Sequence, residues 1–357
     1  MEQLANMKIL RIYTRLPPLK GGMEKHIYNL TNEQNKLGHE VSVYFNKGTR
    51  ISSRDVQISK LSLETKPRVI GIIVFYILIT LKLFLKKEKF DVIHIHGDWS
   101  SLVFAKLIKK LTKANVLAFS IHDDIKDSFL YKVLISKLLK PVDVIFSTGY
   151  AAAKKIEMFT KKKVIVQPSG INKIFFESKA RSVKDSDFTV ITVANLVPKK
   201  NLNLVLDIAK ELPSMNFIIV GEGNEREKLQ SRIDLENISN LKLLGYKSPL
   251  ELNTLYRQSN IFLLTSFKEG TPTSILEAMA CGLPIVSSNA GDIKNIIRDD
   301  VNGFILDNWV KQKYINILLK FQNKSFVEIR KNNIEYAKEY KWEYVSSQIT
   351  NVLKNKI

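Results

Sequence analysis

Short apolar segments alternate with helix-like segments along almost the whole chain, in two successive series. The predicted strands of the first series are 8–13, 41–45, 92–95, 116–120 and 142–147. Those of the second series are 188–193, 217–220, 241–244, 261–264 and 284–287. Apolar strands that alternate with helices form parallel, doubly wound sheets. We therefore predict an α/β protein with two Rossmann-like domains that face each other, with ligands bound at the carboxyl ends of the strands and in the cleft between the domains.

A polar stretch separates the two series and sets the predicted domain boundary. At 357 residues the chain is long enough for two domains with full hydrophobic cores. The alternation breaks at Pro168-Ser169-Gly170 and again over 178–187. We predict an N-terminal domain over 1–178, a C-terminal domain over 179–339 and a terminal helix over 340–357.

The positive charge of the chain is concentrated in its first half. The net charge is +20, and residues 1–180 hold 31 Lys and Arg against 15 Asp and Glu, whereas residues 181–357 hold 24 against 20. This asymmetry indicates an anionic partner, which is a membrane surface, a nucleic acid or an acidic substrate. Lysines that only solvate helices are the alternative, but they do not explain the difference between the halves. Because no nucleic-acid motif is present, we expect peripheral contact with an anionic membrane and no specific nucleic-acid binding.

The segment 69–85 is apolar apart from Lys82 and is followed by Lys86-Lys87. Its uncharged part, 69–81, has thirteen residues, fewer than the ~20 that span a bilayer. Two interpretations are open: a helix buried against a sheet, or a helix in the membrane interface whose basic flanks contact lipid phosphates.

Cysteine content and the N-terminus both indicate a reducing compartment. The only cysteine, Cys281, excludes an internal disulfide and a metal site built from cysteines. The first residues lack the basic start and apolar run of a signal peptide. We expect a cytoplasmic protein that is peripheral at the inner face of the membrane.

Two acidic residues flank the start of a predicted helix in the second half. Glu269 follows the strand 261–264, Thr271 is a suitable N-cap, and Pro272 suits the first helical position. Glu277 lies within that helix. Free N–H groups at a helix start bind phosphate or diphosphate, and carboxylates accept hydrogen bonds from sugar hydroxyls. The spacing is compatible with a nucleotide-sugar site and also with an ordinary strand–turn–helix that carries two solvated acids.

A set of short motifs occurs in a fixed order along nearly the full chain. In the first half the motifs are Gly21-Gly22-Met23-Glu24-Lys25-His26, His94-Ile95-His96-Gly97, Ser120-Ile121-His122-Asp123 and Pro168-Ser169-Gly170. In the second half they are Asn195-Leu196-Val197-Pro198-Lys199-Lys200-Asn201, Val220-Gly221-Glu222-Gly223, the segment from Glu269 to Pro284, and Asn302-Gly303-Phe304. The ordered set resembles the family 4 glycosyltransferases, which have the GT-B fold. The resemblance implies a retaining enzyme that uses nucleotide-diphosphate sugars, and a terminal helix that packs back on the N-terminal domain.

The resemblance also implies roles for individual residues. Lys200 would neutralise the diphosphate leaving group, Glu269 would hold the transferred sugar, and His122 would reach toward that sugar and the acceptor. The implied donor-binding residues are Gly21, Gly22, Asn195, Lys200, Gly270, Thr271, Pro272, Thr273 and Glu277. The implied acceptor-binding residues are His26, His96, Trp99 and Asp123. For Trp99 a place in the core or on the surface fits equally well.

The chain departs from the family pattern at two positions. Asn195 stands where the family usually has the arginine of a Gly-Arg-Leu turn, so one of two diphosphate cations is missing. Lys199 and Arg15 are candidates to replace it. The usual Pro-Asn-Gly turn has become Pro168-Ser169-Gly170, which keeps the turn.

The histidines are interpreted as structural rather than as metal ligands. His94 and His96 alternate on a strand, share a face and could bind a metal together with His122. A further clear ligand is lacking, so we expect no metal and no cofactor besides the nucleotide-sugar co-substrate.

Taken with these residues, the resemblance implies a retaining, metal-independent, hexosyltransferase-type enzyme. It would move a sugar from a UDP-sugar to a hydroxyl acceptor, on a lipid-linked or surface-polysaccharide glycan. Two alternatives stay open. One is a sugar-nucleotide epimerase of the same fold, and the other is a non-catalytic basic protein that binds a membrane or nucleic acid.

Overall fold

The computed structural model describes residues 6–18, 22–58, 68–121, 128–177, 188–322 and 326–357. The chain divides into two compact units. The first unit contains Met1–Ser169 together with Trp342–Ile357, and the second contains Gly170–Lys341. Each unit is built around one parallel sheet, as the alternation of strands and helices predicts.

The first unit contains a seven-stranded sheet of order β3-β2-β1-β4-β5-β6-β7. Its strands are β1 Lys8–Ile12, β2 Glu40–Phe45, β3 Val56–Gln57, β4 Val92–Gly97, β5 Val116–Ile121, β6 Val144–Ser147 and β7 Val164–Val166. Its helices up to the linker are α1 Gly22–Lys36, α2 Arg68–Lys86, α3 Ala105–Thr112, α4 Phe129–Leu139 and α5 Tyr150–Thr160. All described strand pairs are parallel, so their carboxyl ends lie at one edge of the sheet.

The second unit contains a six-stranded sheet of order β10-β9-β8-β11-β12-β13. Its strands are β8 Thr189–Val193, β9 Asn216–Val220, β10 Leu241–Leu243, β11 Ile261–Leu264, β12 Ile285–Ser288 and β13 Gly303–Leu306. Its helices are α6 Leu202–Glu211, α7 Arg226–Leu235, α8 Pro249–Gln258, α9 Thr273–Ala280, α10 Lys311–Gln322 and α11 Val327–Ala337. Its strand pairs are also parallel.

The last helix, α12 Trp342–Lys354, belongs to the first unit. Its apolar face is buried beside α1 and the strands of the first sheet, through Trp342, Val345, Ile349 and Leu353. A buried hydrogen bond of 3.0 Å from Gln34 Nε2 to Thr350 Oγ1 joins α1 to α12. The expected return of the terminal helix to the N-terminal domain is therefore confirmed.

All ten predicted strands form, with ends shifted by at most two residues. Three short strands escape sequence analysis: β3 Val56–Gln57, β7 Val164–Val166 and β13 Gly303–Leu306. β3 has only two residues, which are too few to show an apolar period. β13 begins at a glycine, which is depleted in strands.

The second unit begins at Gly170 and ends at Lys341, whereas the predicted domain boundaries are 178/179 and 339/340. The short helix Lys173–Phe176 falls in the second unit. Phe175, which is 1% exposed, packs there with its ring centroid 5.9 Å from that of Tyr256. This burial places the segment after Gly170 in the second unit. The polar stretch on which the predicted boundary was based begins only at residue 178. The polar part of the predicted linker, 178–187, lies outside the described residues.

Helix α2 is apolar on both of its faces. The inner face is buried in the core of the first unit, through Ile72, Phe75, Tyr76, Ile79 and Leu83. The outer face has side chains that are 40–77% exposed: Ile70, Val74, Ile77, Leu81, Phe84 and Leu85. The buried-helix interpretation is confirmed for the inner face, whereas the outer face is an apolar surface of the first unit. No helix within the described residues is long and apolar enough to cross a membrane.

Candidate functional site in the second unit

Helix α9 begins one residue later than the sequence predicts. Pro272 is the N-cap rather than the first helical residue, and Thr273 opens the helix. The reason is the backbone of Pro272, whose ψ of 112° is extended and does not continue into a helical turn. Thr271 is therefore not the N-cap. Gly270, Thr271 and Pro272 form the loop that leads from β11 into the positive end of α9.

Glu269 is held in this loop by two side chains. Lys200 Nζ donates to Glu269 Oε1 at 2.6 Å, and Ser266 Oγ donates to the same oxygen at 2.5 Å. The side chains of Lys200 and Glu269 are only 13% and 7% exposed, so the ion pair is largely shielded from water. A charge pair in such surroundings is much stronger than one at the surface.

The backbone of Lys200 is fixed by the loop after β11, which also carries Glu269. Thr265, directly after β11, donates from Oγ1 to the carbonyls of Lys200 at 3.2 Å and Asn201 at 3.0 Å. Asn201 has the left-handed φ of 50°, which asparagine tolerates better than most residues. This turn ends the short helix Pro198–Lys200 and begins α6. The loops after β8 and β11 meet because these two strands are neighbours in the sheet.

Glu277 lies on α9 and is oriented by a buried tyrosine of α8. Tyr256 OH donates to Glu277 Oε2 at 3.2 Å and to the carbonyl of Ser274 at 3.4 Å. Burial first, and then the nearby Glu277 carboxylate, raise the pKa of Tyr256 far above its ordinary value. The phenol therefore keeps its proton and remains a donor to Glu277. One carboxylate oxygen is thus positioned by the protein itself.

Asn195 lies in the loop after β8, against a glycine-rich loop after β9. A Cβ added to Gly221, whose φ is +141°, would lie 1.9 Å from the carbonyl oxygen of Ala194. A Cβ added to Gly223 would lie 2.2 Å from the carbonyl oxygen of Leu196. The two loops approach so closely that only glycine fits at both positions. Asn195 is exposed and carries no charge where the family usually has an arginine.

Gly270 and Gly22 differ from these packed glycines. A Cβ added to either residue would meet no atom within 4 Å, and neither backbone has a positive φ. Gly22 opens α1 in the first unit, and Gly270 precedes α9 in the second. Folding within each unit does not require glycine at these positions. The open space at the start of each helix is suited to the close approach of a ligand.

In the first unit, the histidines from α1 and β4 are packed together. The ring centroids of His26 and His96 are 5.9 Å apart, and those of His96 and His94 are 4.0 Å apart. His26 Nδ1 shares a hydrogen bond of 2.8 Å with Ser169 Oγ, and His94 Nε2 shares one of 2.8 Å with Ser120 Oγ. All three histidines are buried, with His26 3% exposed. The predicted acceptor residues His26 and His96 are therefore brought together.

His26 is held neutral by its surroundings. Burial first, and then the positive charge of Arg11, lower the pKa of His26 to about 3. Arg11 is itself fully buried on β1, where it donates to Thr31 Oγ1 at 2.6 Å and to Gln34 Oε1 at 2.5 Å. A neutral imidazole can offer a hydrogen bond to a hydroxyl group but no charge.

The remaining predicted residues divide into two groups. Trp99 is half-buried in a short helix after β4 and packs against the core of the first unit, which favours the core interpretation over acceptor contact. Gly21, His122 and Asp123 lie outside the described residues. Their roles stay predictions.

Two residues that orient the carboxylates were missed by sequence analysis. Ser266 lies three residues before Glu269 and binds it directly, so its position just after a strand was an available signal. Tyr256 binds Glu277 from another helix, 21 residues away in the chain. Its sequence surroundings show only an amphipathic helix, so no local signal identifies it.

The two parallel-sheet units, with the terminal helix in the first unit, define a protein of the GT-B fold. The family model for glycosyl transferases group 1 matches residues 173–340, and the model for glycosyltransferase family 4 matches residues 20–173. The two matches together cover most of the chain. The chain belongs to the family 4 glycosyltransferases.

Individual proteins agree with this assignment. The chain is 28% identical over 304 residues to one subunit of human phosphatidylinositol N-acetylglucosaminyltransferase, covering 80% of this chain but 62% of the human protein. It is 25% identical over 283 residues to the Escherichia coli UDP-Gal:alpha-D-GlcNAc-diphosphoundecaprenol alpha-1,3-galactosyltransferase, covering 72% of each chain. The crystal structure of Anabaena HepE in complex with UDP matches with a TM-score of 0.79 at 17% identity, over 98% of this chain and 100% of HepE. The last similarity confirms the fold.

The buried ion pair predicts a loss of stability when its lysine is neutralised. Lys200→Gln leaves Glu269 charged and mostly shielded, which costs about 3 kcal/mol or more. Urea unfolding of both proteins measures the difference. The matched control is Lys338→Gln. Lys338 Nζ and Glu335 Oε2 are also 2.5 Å apart, but these two side chains are 50% and 73% exposed. This substitution should lower the free energy of unfolding by at most about 0.5 kcal/mol. Equal effects of the two substitutions would contradict the shielding of the Lys200 pair.

The lowered pKa of His26 predicts a stability that falls in acid. Unfolded histidine titrates near 6.5 and folded His26 near 3, so only the unfolded state binds the proton between these values. The contribution is present above pH 6.5 and is lost as the pH falls, by about 1.4 kcal/mol per pH unit. Urea unfolding between pH 7 and pH 4 gives the unfolding free energy as a function of pH. The slope of this free energy against pH should be smaller by this amount in His26→Gln than in the wild type. An unchanged slope would show that His26 takes up its proton in the folded state.

Proposed function

We propose that this glycosyltransferase is a retaining enzyme that transfers a sugar from a UDP-sugar to a hydroxyl group of a lipid-linked or polysaccharide glycan, without a metal ion. One observation carries the donor part of this proposal. Lys200, Glu269 and the open start of α9 at Gly270 come together at the carboxyl edge of the second sheet. A cation and the backbone N–H groups of a helix start suit a diphosphate, and a fixed carboxylate suits a sugar.

Each group has a role in the proposed transfer. The start of α9 and Lys200 bind the diphosphate and stabilise the negative charge that grows on it as the sugar leaves. Glu269 accepts hydrogen bonds from hydroxyls of the transferred sugar, and Glu277 accepts them from the ribose. The bond from the sugar C1 to the diphosphate oxygen breaks while a bond from C1 to the acceptor oxygen forms on the same face. The acceptor proton passes to the departing diphosphate.

The acceptor part of the proposal rests on the charge of the first unit and on the relatives. The human and E. coli relatives are named for acceptors that carry a lipid. The basic first half of this chain and the apolar outer face of α2 suit such an acceptor at a membrane surface. We assign the buried histidines His26 and His96 to the acceptor side, where the neutral imidazole of His26 would bind a hydroxyl group.

Nucleotide titration tests the donor site. Lys200→Ala should weaken UDP binding by roughly 10- to 100-fold, since it removes a charged hydrogen-bond donor. Asn195→Arg should tighten it about tenfold, because it restores the second cation at an exposed position. Calorimetry with UDP, GDP and ADP measures both, with Lys338→Ala as an exposed control.

The same titration can contradict the assignment. UDP binding that is unchanged in Lys200→Ala places the nucleotide elsewhere. Preference for GDP or ADP replaces the UDP donor with another nucleotide. An epimerase would interconvert UDP-sugars without an acceptor, whereas the proposed transferase releases UDP only when an acceptor is present. Because the proposed reaction needs no metal ion, EDTA should leave this release of UDP unchanged.

We further propose that the first unit lies on the inner surface of an anionic membrane through α2. A surface helix normally turns polar residues outward, but the outer face of α2 exposes large apolar side chains, among them Leu81, Phe84 and Leu85 at 53%, 61% and 77%. The next helix, α3, adds Leu107 at 44%. Exposed lysines lie in or directly after the two helices: Lys86, Lys87, Lys106, Lys110 and Lys113. Apolar insertion with a basic rim is typical of helices that lie in an anionic interface.

Vesicle binding tests this surface. Replacing Leu81, Phe84 and Leu85 together with glutamine should lower partitioning by at least about tenfold, because a single fully buried Leu or Phe contributes ~1.5–3 kcal/mol and tenfold requires only about 1.4 kcal/mol. Sedimentation with phosphatidylcholine vesicles, with and without phosphatidylglycerol, gives the partition coefficient. Leu235→Gln is the control, because Leu235 is 81% exposed in the second unit. If the triple variant binds as the wild type does, the membrane contact lies on another surface.

A further inference from the structure

Two aromatic side chains stand exposed beside the residues that hold Glu269. Phe267 follows β11 and is 52% exposed, and Trp309 follows β13 and is 40% exposed. Their ring centroids are 5.0 Å apart at an interplanar angle of 64°. The rings therefore form a small apolar surface, which we call the aromatic platform, at the carboxyl edge of the second sheet.

The platform is connected to the sugar-binding carboxylate through one residue. Trp309 Nε1 donates to the carbonyl of Ser266 at 3.2 Å, and Ser266 Oγ donates to Glu269 Oε1 at 2.5 Å. Phe267 is the next residue in the chain, and its N–H donates to the carbonyl of Lys199 at 2.8 Å. The two rings, Glu269 and the loop of Lys200 are thus held by the same short segment.

The Trp309 ring is fixed rather than free to collapse on the surface. The carbonyl of Ser266 that receives Trp309 Nε1 also receives Ser288 Oγ at 2.6 Å. The loop of Trp309 is anchored by Tyr314 OH, which donates to the carbonyl of Asn308 at 3.2 Å. Since the indole N–H is already bonded, the exposed part of Trp309 is apolar. A rigid, exposed aromatic surface loses little entropy when a ligand covers it.

Pyranose rings match this combination of groups. One face of a pyranose presents C–H groups, which pack on the electron-rich face of an aromatic ring, and its edge presents hydroxyls. Glu269 is a fixed acceptor for such hydroxyls. Binding sites for small ligands typically combine aromatic walls with a few placed polar groups.

We infer that Phe267 and Trp309 form a subsite that stacks against a pyranose ring next to Glu269. This inference rests on the proposed function, because the transfer reaction brings two kinds of sugar to the site. The stacked pyranose is either the sugar of the donor or a sugar of the acceptor. Both sources share the stacking chemistry, and the platform selects ligands by the C–H face they present. Phe267 and Trp309 are therefore specificity-determining residues of the transfer.

Fluorine NMR observes the platform directly. The chain has three tryptophans, so 5-fluorotryptophan labelling gives three signals, and Trp309→Phe identifies that of Trp309. The probes are the methyl glycosides of glucose, galactose and N-acetylglucosamine, alone and with UDP, followed by the UDP-sugars themselves. We expect the Trp309 signal to shift with at least one sugar-bearing probe and not with UDP alone. A Trp309 signal that no sugar moves, or that moves equally with UDP alone, overturns the inference.

A matched substitution measures the contribution of stacking and separates the two sources. Phe267→Leu keeps an apolar side chain but removes the flat ring, and should weaken sugar binding about threefold to tenfold. If the sugar belongs to the donor, binding of the UDP-sugar weakens while binding of UDP is unchanged. If it belongs to the acceptor, the KM for the acceptor rises and UDP-sugar binding is unchanged. Tyr344→Leu, which removes a 46% exposed ring from the first unit, should change neither.

The outcome for the platform is independent of the outcome for the donor site. A Trp309 shift with methyl glycosides, in a protein whose UDP binding does not depend on Lys200, keeps the platform and rejects the proposed donor site. Loss of UDP binding in Lys200→Ala, with no change in any sugar parameter in Phe267→Leu, keeps the donor site and rejects the platform.

Discussion

Parallel strand pairing is the constraint on which the candidate site depends. In the second sheet β8 lies between β9 and β11, and all three strands end at the same edge. The loops that follow them carry Asn195, the glycines 221 and 223, and Glu269. Residues that are far apart in the chain therefore reach one place without any long-range motif. The ion pair between Lys200 and Glu269, which lie 69 residues apart, is the most direct consequence.

Close packing of loops makes this edge rigid. Gly221 and Gly223 allow the loop after β9 to touch the loop after β8, and Gly291 plays the same part for Glu269. Gly291 has a φ of +63°, and a Cβ there would lie 2.0 Å from the Glu269 carbonyl oxygen. The backbone of Glu269 is thus packed against that of Gly291, and its side chain is bonded to Lys200 and Ser266. If the proposed transfer takes place here, such preorganisation would reduce the reorganisation that charge stabilisation requires.

Sequence analysis predicted the fold well because its signals are local. The ten strands and the terminal helix follow from apolar periodicity, and the family follows from short motifs. What it did not predict depends on adjacency in space. The pairing of β8 with β11 brings Lys200 to Glu269. No pattern within either segment predicts this pairing. Tyr256 reaches Glu277 from another helix for the same reason. The start of α9 was placed one residue early, because the helix-start preference of Pro272 was overridden by its extended ψ.

For the proposed donor site, the ion pair would compensate for the presence of only one diphosphate cation. Without a ligand, Lys200 is neutralised by Glu269, so the shielded site holds no net charge from this pair. A bound diphosphate would bring its own negative charge and compete for Lys200, while sugar hydroxyls would donate to the oxygens of Glu269. The pair would then be exchanged for two ligand contacts rather than simply broken. A nucleotide without its sugar supplies only the first of these contacts, so this site would favour the complete donor over the free nucleotide. With Asn195 in place of a second cation, this coupling would contribute a larger share of donor recognition.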